Sequence, residues 1–419
     1  MRVLEIVNTV IAILFFVCYF YQFVYVPIPF FKKKKLDGEI KQNKLAILIC
    51  ARNEENVITD LIDCIWKQTY NKALLTVFVM ADNCDDKTAE FSRRAGAVVY
   101  ERHNTTLIGK GYALNQLLEN ISRDYPEGFD GYIVFDADNL LKEDYIENMN
   151  RVFCNGYDIV TSYRNSKNFG QNWISAGYAL WFLRESVYLN YSRMLVGSSC
   201  AVSGTGFMFS RKVLEEQGHW PFHLLTEDIE FSVHHILQGY KIGMAKDAVL
   251  YDEQPTTFRQ SWRQRLRWAC GFLQVFKKYG SKLVKGVFKG SFSCFDMSMN
   301  IMPAAILTIV NIISNIALFI MGIKSGNTAY AVNVVLRSFC WMYFVVFAVG
   351  LITVITEWKM IYVKPWKKIL YTFTFPLFMF TYIPITFVAF FKRKVTWKPI
   401  THHKAASSVP TETVVEAES

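Results

Sequence analysis

The sequence has few charged residues and no closely spaced cysteine pair. Charged residues make up 20% of the 419 residues, below the roughly 25% that is usual for soluble proteins. Hydrophobic residues make up 52%. The nine cysteines form no C-x-x-C pair, which argues against a zinc site of the usual spacing and against a disulfide framework. We therefore expect reduced thiols and a chain that is partly embedded in a membrane.

The net charge of +10 is concentrated beside apolar runs. Basic runs at 32–35, 277–289 and 392–394 flank such segments, and Lys and Arg are typical of the cytoplasmic edge of a membrane. The positive charge is thus explained by membrane topology, and we expect no nucleic-acid partner.

Four apolar runs are candidates for membrane spans. The first, 3–31, is too long for a cleaved signal peptide and has no small-residue cleavage site, so we interpret it as an anchor. The lysines after it place residue 36 onward in the cytoplasm. The later runs lie near 299–323, 331–355 and 369–391.

Simple alternation of these spans conflicts with the charge pattern. Three further crossings would place the basic residues 392–394 outside the cell. The last run also contains Pro376 and Pro384, which predict a kink or a re-entrant pair of helices. Either the last run does not cross or one crossing is miscounted. The Ser-, Thr- and Glu-rich tail, 404–419, is predicted to be disordered.

Residues 36–258 read as a cytosolic α/β domain with a mostly parallel sheet and helices on both faces. The segment 259–290 reads as an interfacial amphipathic stretch, and 299–391 as a membrane bundle. The predicted strands are 45–50, 74–80, 97–100, 132–135 and 158–162, and the predicted helices between them include 56–68, 87–95 and 111–120.

Acidic residues follow the predicted strands. Asp82 comes after the second strand, and Asp136 and Asp138 come after the fourth. Single Asp residues are common in turns and helix caps. Two carboxylates in a D-x-D spacing, however, can bind a hard cation such as Mg²⁺ or Mn²⁺ together with substrate phosphates.

Two later segments carry further chemistry. Glu227 and Asp228 begin a helical pattern, where they are either a capping pair or a general base at a cleft. In the stretch SWRQRLRWACG, one helical face carries an amide, a guanidinium and an indole, which suit a diphosphate and a sugar ring. These are Gln264, Arg267 and Trp268. We expect the other face to lie on lipid, with Trp262, Arg263 and Arg265.

The ordered motifs resemble those of the membrane-bound family 2 glycosyltransferases, which include cellulose, chitin, hyaluronan and poly-N-acetylglucosamine synthases. The resemblance covers about residues 45–268 and implies a GT-A-type nucleotide-sugar-binding domain, a UDP-sugar donor and Mg²⁺ or Mn²⁺. The motifs are Asp82, Asp136-Ala137-Asp138, Thr226-Glu227-Asp228 and Gln264-Arg265-Leu266-Arg267-Trp268.

The resemblance also implies a role for each matching residue. Asp228 would be the catalytic base and Asp138 the metal ligand. Asp82 would lie near the uracil, and the segment 203–211 would lie near the acceptor. Gln264 and Arg267 would hold the diphosphate, and Trp268 would form the floor of the acceptor site. The full substrate-binding set is Ala51, Glu54, Asp82, Lys110, Asp136, Glu227, Gln264, Arg267 and Trp268.

By this resemblance the chain is an inverting enzyme of the cell membrane. It would move N-acetylglucosamine or glucose from UDP to a growing β-linked polysaccharide and export the product through its own helices. Transfer of a single sugar to a lipid acceptor is an alternative, since some such enzymes carry the same motif. A non-catalytic channel or scaffold is a remote one, because every motif residue is present. An accessory membrane subunit is left open.

Overall fold

The structure is a computed structural model that describes residues 2–392, without the side chains of residues 2–5 and 303–305. The predicted disordered tail, 404–419, and residues 393–394 of the last basic run lie outside the described residues.

The centre of the sheet domain consists of eight strands. They are β1 (Leu45–Ala51), β2 (Leu75–Asp82), β3 (Val98–Arg102), β4 (Gly131–Asp136), β5 (Leu140–Leu141), β6 (Ile159–Ser166), β7 (Phe207–Ser210) and β8 (Ile242–Asp252). Their spatial order is β3-β2-β1-β4-β7-β6-β8-β5. Neighbouring strands are parallel except where β7 pairs with β4 and β6 and where β5 pairs with β8. The predicted mostly parallel sheet is therefore confirmed.

All five predicted strands are present, and four of them are apolar runs that the fold buries on both faces, whereas the edge strand β3 is mostly half-buried. Residues 45–49 of β1, for example, have no exposed surface. Three strands were missed. Two of them, β5 and β7, are only two and four residues long, and β8 is interrupted by the exposed pair Lys246 and Asp247.

Helices cover both faces of the sheet. Some bury one apolar stripe, as Ile58, Leu61, Ile62 and Ile65 show at helical spacing, whereas the helix Trp173–Arg184 is buried at nearly every position. A π-helical turn, Glu185–Tyr191, joins two of them. In the sheet domain they are α3 (Ile58–Trp66), α4 (Thr88–Arg94), α5 (Lys110–Asp124), α6 (Tyr145–Cys154), α7 (Trp173–Arg184), α8 (Ser192–Val196), α9 (Arg211–Gln217) and α10 (Glu227–Leu237).

The remaining helices lie before and after this domain. Four stretches within residues 2–392 are long and apolar enough to cross a membrane: Ile6–Phe31, Ile306–Lys324, Thr328–Thr356 and Pro365–Phe391. They match the four apolar runs of the sequence. The helices are α1 (Arg2–Tyr25), α2 (Ile28–Phe31), α11 (Phe258–Phe288), α12 (Phe292–Ile301), α13 (Pro303–Lys324), α14 (Thr328–Thr356), α15 (Pro365–Phe380) and α16 (Tyr382–Phe391).

The last apolar run is broken, as its prolines predicted. The break lies at Thr381, between α15 and α16, and Pro376 is accommodated inside α15. The two halves pack both on helices outside the four apolar stretches and on candidate spans: α15 packs on α7 and α14, and α16 packs on α11 and α13. The run therefore satisfies a length criterion for a span without forming one continuous helix.

A buried ion pair attaches α1 to the rest of the chain. Arg193 of α8 donates from Nε and Nη2 to Asp296 of α12, at 2.8 Å each. The hydroxyls of Tyr21 and Tyr25 in α1 donate to the same carboxylate at 2.9 and 2.8 Å. Arg193 and Asp296 are each 1% exposed. Four donors thus offset the cost of burying this carboxylate.

Candidate active site

Three of the predicted site residues end neighbouring strands. Ala51 ends β1, Asp82 ends β2 and Asp136 ends β4. In the sheet register Ala51 pairs with Ala81, and Cys50 pairs with Asp136. The three residues therefore lie at one edge of the sheet, where parallel α/β folds bind ligands.

The loop after β1 carries Glu54 to this edge. Its amide donates to Oγ1 of Thr88 at 2.8 Å. The residue before it, Asn53, has a φ of 58°, a left-handed conformation that Asn tolerates better than most residues. The Asn53 side chain accepts from the amide of Asp85 at 3.0 Å, so this loop and the loop after β2 hold each other in place.

Asp82 forms an ion pair that the sequence analysis missed. Nη1 of Arg102 donates to its carboxylate at 2.5 Å, and both side chains are 8% exposed. Arg102 ends β3 directly opposite Asp82. Beside them a cavity of about 380 Å³ opens between the loops that follow β1, β2 and β3, with Arg52, Asn83 and His103 in its lining.

Lys110 connects two parts of the site. Its Nζ donates to the Asp136 carboxylate and, at 2.8 Å, to the carbonyl oxygen of Gly204. Burial alone would lower the pKa of Lys110, but the Asp136 and Glu227 carboxylates raise it above its usual value. The ammonium group therefore stays charged between the D-x-D segment and the loop at residues 203–206.

That loop, which we call the glycine loop (203–206), runs close to the predicted base. Gly204 has a φ of 76°, and a Cβ at this position would lie 3.6 Å from Oδ2 of Asp228. At Gly206 a Cβ would lie 1.9 Å from Leu250, so the close approach of the loop to β8 requires glycine.

Asp138 lies in an acidic pocket at the end of β8. Its Oδ2 accepts from the amide of Glu253 at 3.2 Å. Burial raises the pKa of Asp252 to about 6, the Arg164 guanidinium opposes this shift, and the Asp138 carboxylate adds to it. A cation here would relieve the repulsion between Asp138 and Asp252.

The donor set fits a metal that shares its shell with a substrate. Within residues 2–392 no three His, Cys, Asp or Glu side chains are arranged to hold a metal ion together. A hard cation at Asp138 would therefore need further oxygen ligands, such as those of a diphosphate.

Glu227 and Asp228 open α10, as the helical pattern predicted. Burial and the neighbouring Asp228 carboxylate raise the pKa of Glu227 to about 7. Burial also raises the pKa of Asp228, whereas the amide of Ile229 and the Arg267 guanidinium act in the opposite direction. A carboxylate poised in this way suits a general base that works near neutral pH.

A buried glutamate in α10 holds the segment just before these residues. Oε2 of Glu230 accepts from the amides of His223 and Leu224 at 3.1 and 3.0 Å. Its Oε1 accepts from Nζ of Lys278 at 2.5 Å and from the hydroxyl of Tyr279 at 3.3 Å. Glu230 has no exposed surface. It therefore fixes this segment between α10 and α11.

The predicted face of α11 lies against the same segment. Arg267 Nη1 donates to the carbonyl oxygen of Leu225 at 2.6 Å. Trp268 packs edge-on against Tyr178 and Phe182, with ring centroids 5.8 and 6.3 Å apart. Oε1 of Gln264 is buried and accepts no hydrogen bond from any residue in the described part of the chain. A ligand group that donates a hydrogen bond to this oxygen would remove the free-energy cost of burying it without a partner.

The predicted lipid-facing position is wrong for Arg265, one of the three residues named for that side of α11. Arg265 has no exposed surface. Its Nη1 donates to the carbonyl oxygen of Phe378 at 3.2 Å and to Oγ1 of Thr381 at 2.6 Å, so it caps the break in the last apolar run. Trp262 packs in a cluster with Ile385 of α16. Only Arg263 is exposed.

The structure thus brings together Lys110, Asp136, Glu227, Asp228 and Arg267. Asp138 lies in the neighbouring acidic pocket, and Asp82 lies at the end of β2, on the far side of β1 from Asp136. Asp252, Arg102 and Arg164 were not predicted from the sequence. Asp252 ends β8, a strand that was not predicted. Arg102 ends β3 and Arg164 lies inside β6, each two residues beyond the end predicted for its strand.

A protein family described as "Glycosyltransferase like family 2" matches residues 42–271, more than half of the chain. The matched region contains the sheet domain and the residues that meet at its edge. It ends within α11, just after Trp268.

Two curated relatives point to different products. The chain is 26% identical over 285 residues to beta-monoglucosyldiacylglycerol synthase of Trichormus variabilis, which covers 66% of this chain and 58% of that protein. It is 24% identical over 238 residues to poly-beta-1,6-N-acetyl-D-glucosamine synthase of Staphylococcus aureus, which covers 55% of each. The matches span less than two thirds of either relative.

One solved structure resembles nearly the whole chain. It is the mannosyltransferase PcManGT from Pyrobaculum calidifontis, solved in complex with GDP-Man and Mn²⁺. It covers 92% of this chain and 98% of its own, with a TM-score of 0.59 and 15% identity. At this identity the likeness establishes the GT-A-type fold.

Proposed function

The chain belongs to glycosyltransferase family 2, and from this premise we propose that it moves a sugar from a uridine-diphosphate sugar to an acceptor hydroxyl at a membrane. The donor is UDP-N-acetylglucosamine or UDP-glucose, and the anomeric configuration is inverted. The chain is multi-pass and its sheet domain is cytoplasmic.

One observation carries this proposal. Lys110 binds both the Asp136 carboxylate and the glycine loop, and the same loop passes Asp228. The glycine loop therefore contacts Lys110, whose positive charge can stabilise a leaving diphosphate, and runs beside Asp228, whose carboxylate can deprotonate an attacking hydroxyl. An inverting transfer needs these two groups on opposite sides of one anomeric carbon.

The reaction then follows from the positions of these groups. Asp228 takes the proton of the acceptor hydroxyl, and that oxygen attacks the anomeric carbon. The bond from that carbon to the diphosphate breaks, and Arg267 and Lys110 stabilise the negative charge on the leaving UDP. Trp268 and Phe182 exclude water from the acceptor side. Asp82 lies beside the cavity that would take the uracil.

A divalent cation fits this scheme. Asp138 would hold Mg²⁺ or Mn²⁺, with Asp252 close by, and such an ion would neutralise charge on the diphosphate. PcManGT, which shares the fold, was solved with Mn²⁺.

Two products remain candidates. We place elongation of a β-linked polysaccharide first, because the face with Gln264, Arg267 and Trp268 matches the family's polymer synthases and a poly-N-acetylglucosamine synthase is a relative. Transfer to a diacylglycerol-type lipid is second. It is favoured by the beta-monoglucosyldiacylglycerol synthase, which covers more of this chain.

The broken last run supports a topology that removes the charge conflict. α15 and α16 have 16 and 10 residues, or about 24 and 15 Å at 1.5 Å per residue. Neither alone reaches across a hydrocarbon core of about 30 Å, and each packs on one helix outside the apolar stretches, α15 on α7 and α16 on α11, as well as on α14 or α13. With three crossings, by α1, α13 and α14, Lys392 stays inside.

This topology is tested by labelling a cysteine placed at residue 392. Labelling only after the cells are permeabilised would agree with an inside position, and labelling in intact cells would refute it.

The function is tested with purified protein in lipid nanodiscs, Mn²⁺ and a panel of labelled UDP-sugars. We expect label in a long glycosidase-sensitive polymer, or in a lipid-extractable product if the second candidate holds. Asp228→Asn should lower the rate by at least about 100-fold, while the exposed Asp247→Asn should not. Transfer at the normal rate by Asp228→Asn would refute its role as the base.

A further inference from the structure

A carboxylate that the proposed reaction does not use lies against the glycine loop. Glu185 begins the π-helical turn, and such turns are rare and often occur at functional sites. Its Oε2 accepts from Oγ of Ser203 at 3.2 Å. Its Oε1 accepts no hydrogen bond from the described residues, although the side chain is only half-buried. One oxygen is therefore open to a ligand.

The glycine loop places this oxygen close to the reacting groups. Ser203, which binds Glu185, is followed by Gly204. The carbonyl oxygen of Gly204 accepts from Lys110, and a Cβ on Gly204 would point towards the Asp228 carboxylate. The carbonyl oxygen of Ser203 also accepts from Nη1 of Arg164 at 2.9 Å. Two consecutive residues thus separate Glu185 from the base.

Aromatic contacts place Glu185 on the acceptor side. Phe182 precedes it by three residues, a spacing that shares a helix face. The Phe182 ring packs against Trp268, the proposed acceptor floor, and the Arg164 guanidinium lies 3.8 Å from its centroid. Glu185, Phe182 and Trp268 therefore border the same region.

The charges around Glu185 disfavour a phosphorylated acceptor. Arg164 is already paired with Asp252, and Arg193 is paired with Asp296. The preceding residue, Arg184, donates instead to Gln22 at 2.8 Å. An acceptor phosphate would meet the Glu185 carboxylate and, deeper in the site, the carboxylate pair at the start of α10. Of the three guanidinium groups near Glu185, only that of Arg184 has no carboxylate partner within residues 2–392, and Gln22 of α1 holds it.

We propose that Glu185 binds the acceptor: its open oxygen accepts a hydrogen bond from a neutral polyhydroxyl group, next to the hydroxyl that Asp228 deprotonates. That group is the terminal sugar of an oligosaccharide or the sugar head of a neutral glycolipid. The inference rests on the proposed function and narrows it, because it excludes a polyprenyl phosphate as the acceptor.

The test measures transfer and acceptor-free release of UDP by the full chain in nanodiscs. Three acceptors are compared: β-linked N-acetylglucosamine oligosaccharides, monoglucosyl-dioleoylglycerol and a polyprenyl phosphate. The variants are Glu185→Ala and the isosteric Glu185→Gln. Glu357→Gln is the matched control, since this carboxylate binds Tyr163, whose side chain points to the face of β6 opposite to Arg164.

We expect Glu185→Ala to raise the KM of a neutral acceptor about tenfold, as for a lost hydrogen bond to a charged group. The KM of the donor and the release of UDP without acceptor should be unchanged. The acceptor KM of Glu185→Gln should lie between those of the wild type and Glu185→Ala, because the amide oxygen of glutamine still accepts a hydrogen bond. The acceptor KM of Glu357→Gln should match that of the wild type. Use of the oligosaccharide or of monoglucosyl-dioleoylglycerol identifies which of the two neutral sources supplies the acceptor.

Several results would overturn the inference. These are an unchanged acceptor KM in Glu185→Ala, a parallel rise in the donor KM, a loss of acceptor-free UDP release, or a preference of the wild type for the polyprenyl phosphate. Release of UDP without transfer to either neutral acceptor would overturn it as well. If the wild type releases no UDP from any donor, the proposed function itself fails.

Discussion

Replacing Lys278 should cost more folding free energy than replacing its partner Glu230, although Lys278 is the more exposed of the two. The Lys278 side chain is 50% exposed and that of Glu230 is fully buried. Lys278→Met would leave the carboxylate buried with three hydrogen-bond donors but without a counter-charge. Glu230→Gln would instead leave an ammonium group that water can solvate.

The magnitudes follow from that asymmetry. Breaking a buried ion pair by removing one partner costs about 3–5 kcal/mol when the remaining charge stays buried. Because solvent screens half of Lys278, and the amides of His223 and Leu224 still bind Glu230, we expect the lower end, about 3 kcal/mol, for Lys278→Met. Glu230→Gln keeps an oxygen for those amides, so its cost should be about 1–2 kcal/mol.

The double variant separates the buried charge from the hydrogen bonds. Glu230→Gln with Lys278→Met removes both charges, so it should be about 1–2 kcal/mol more stable than Lys278→Met alone. The assay is chemical unfolding in one detergent, followed by tryptophan fluorescence. A larger cost for Glu230→Gln than for Lys278→Met, or strictly additive effects, would refute the reasoning and assign the stability to the two amide contacts.

Three further predictions concern the site. Because burial and its acidic neighbour raise the pKa of Glu227 to about 7, its ionisation destabilises the fold above the unfolded value of 4.5. Glu227→Gln should therefore raise the midpoint of thermal unfolding at pH 8 and leave it unchanged at pH 4. Gly271→Ala would place a Cβ 2.5 Å from Thr226 and should abolish transfer, whereas Gly280→Ala meets only a phenylalanine ring and should keep transfer activity. Asp138→Asn should raise the Mn²⁺ concentration for half-maximal transfer about tenfold or more in a metal titration.

The sheet and its polar edge could be predicted because their signals are local. Apolar runs predict strands, and the charged residue after each run is placed by the run itself, as for Asp82 and Asp136. The contact of Lys110 with Gly204 could not be predicted, since it joins residues 94 positions apart. The roles of the site residues in catalysis stay predictions until the variants are assayed.

The error at Arg265 has a similar cause. Helical spacing correctly separated the face with Gln264, Arg267 and Trp268 from the rest of α11. It gave no information on what packs against the other face, because the partner, Thr381, lies 116 residues later. A basic residue beside a membrane was therefore read as lipid-facing, when it is the cap of a broken helix.

The carboxylate of Asp296 also imposes an order on the synthesis of the chain. Tyr25 leaves the ribosome 271 residues before its acceptor, an interval of roughly 14–54 s at about 5–20 residues per second. Until then α1 is held by its apolar surface and, once they are made, by the hydrogen bonds of Arg184 to Gln22 and of Ser192 to Tyr25, and Arg193 has no carboxylate. Chains that stop before α12 would present an unpaired arginine beside the bilayer, which is a signal that cellular quality control can act on.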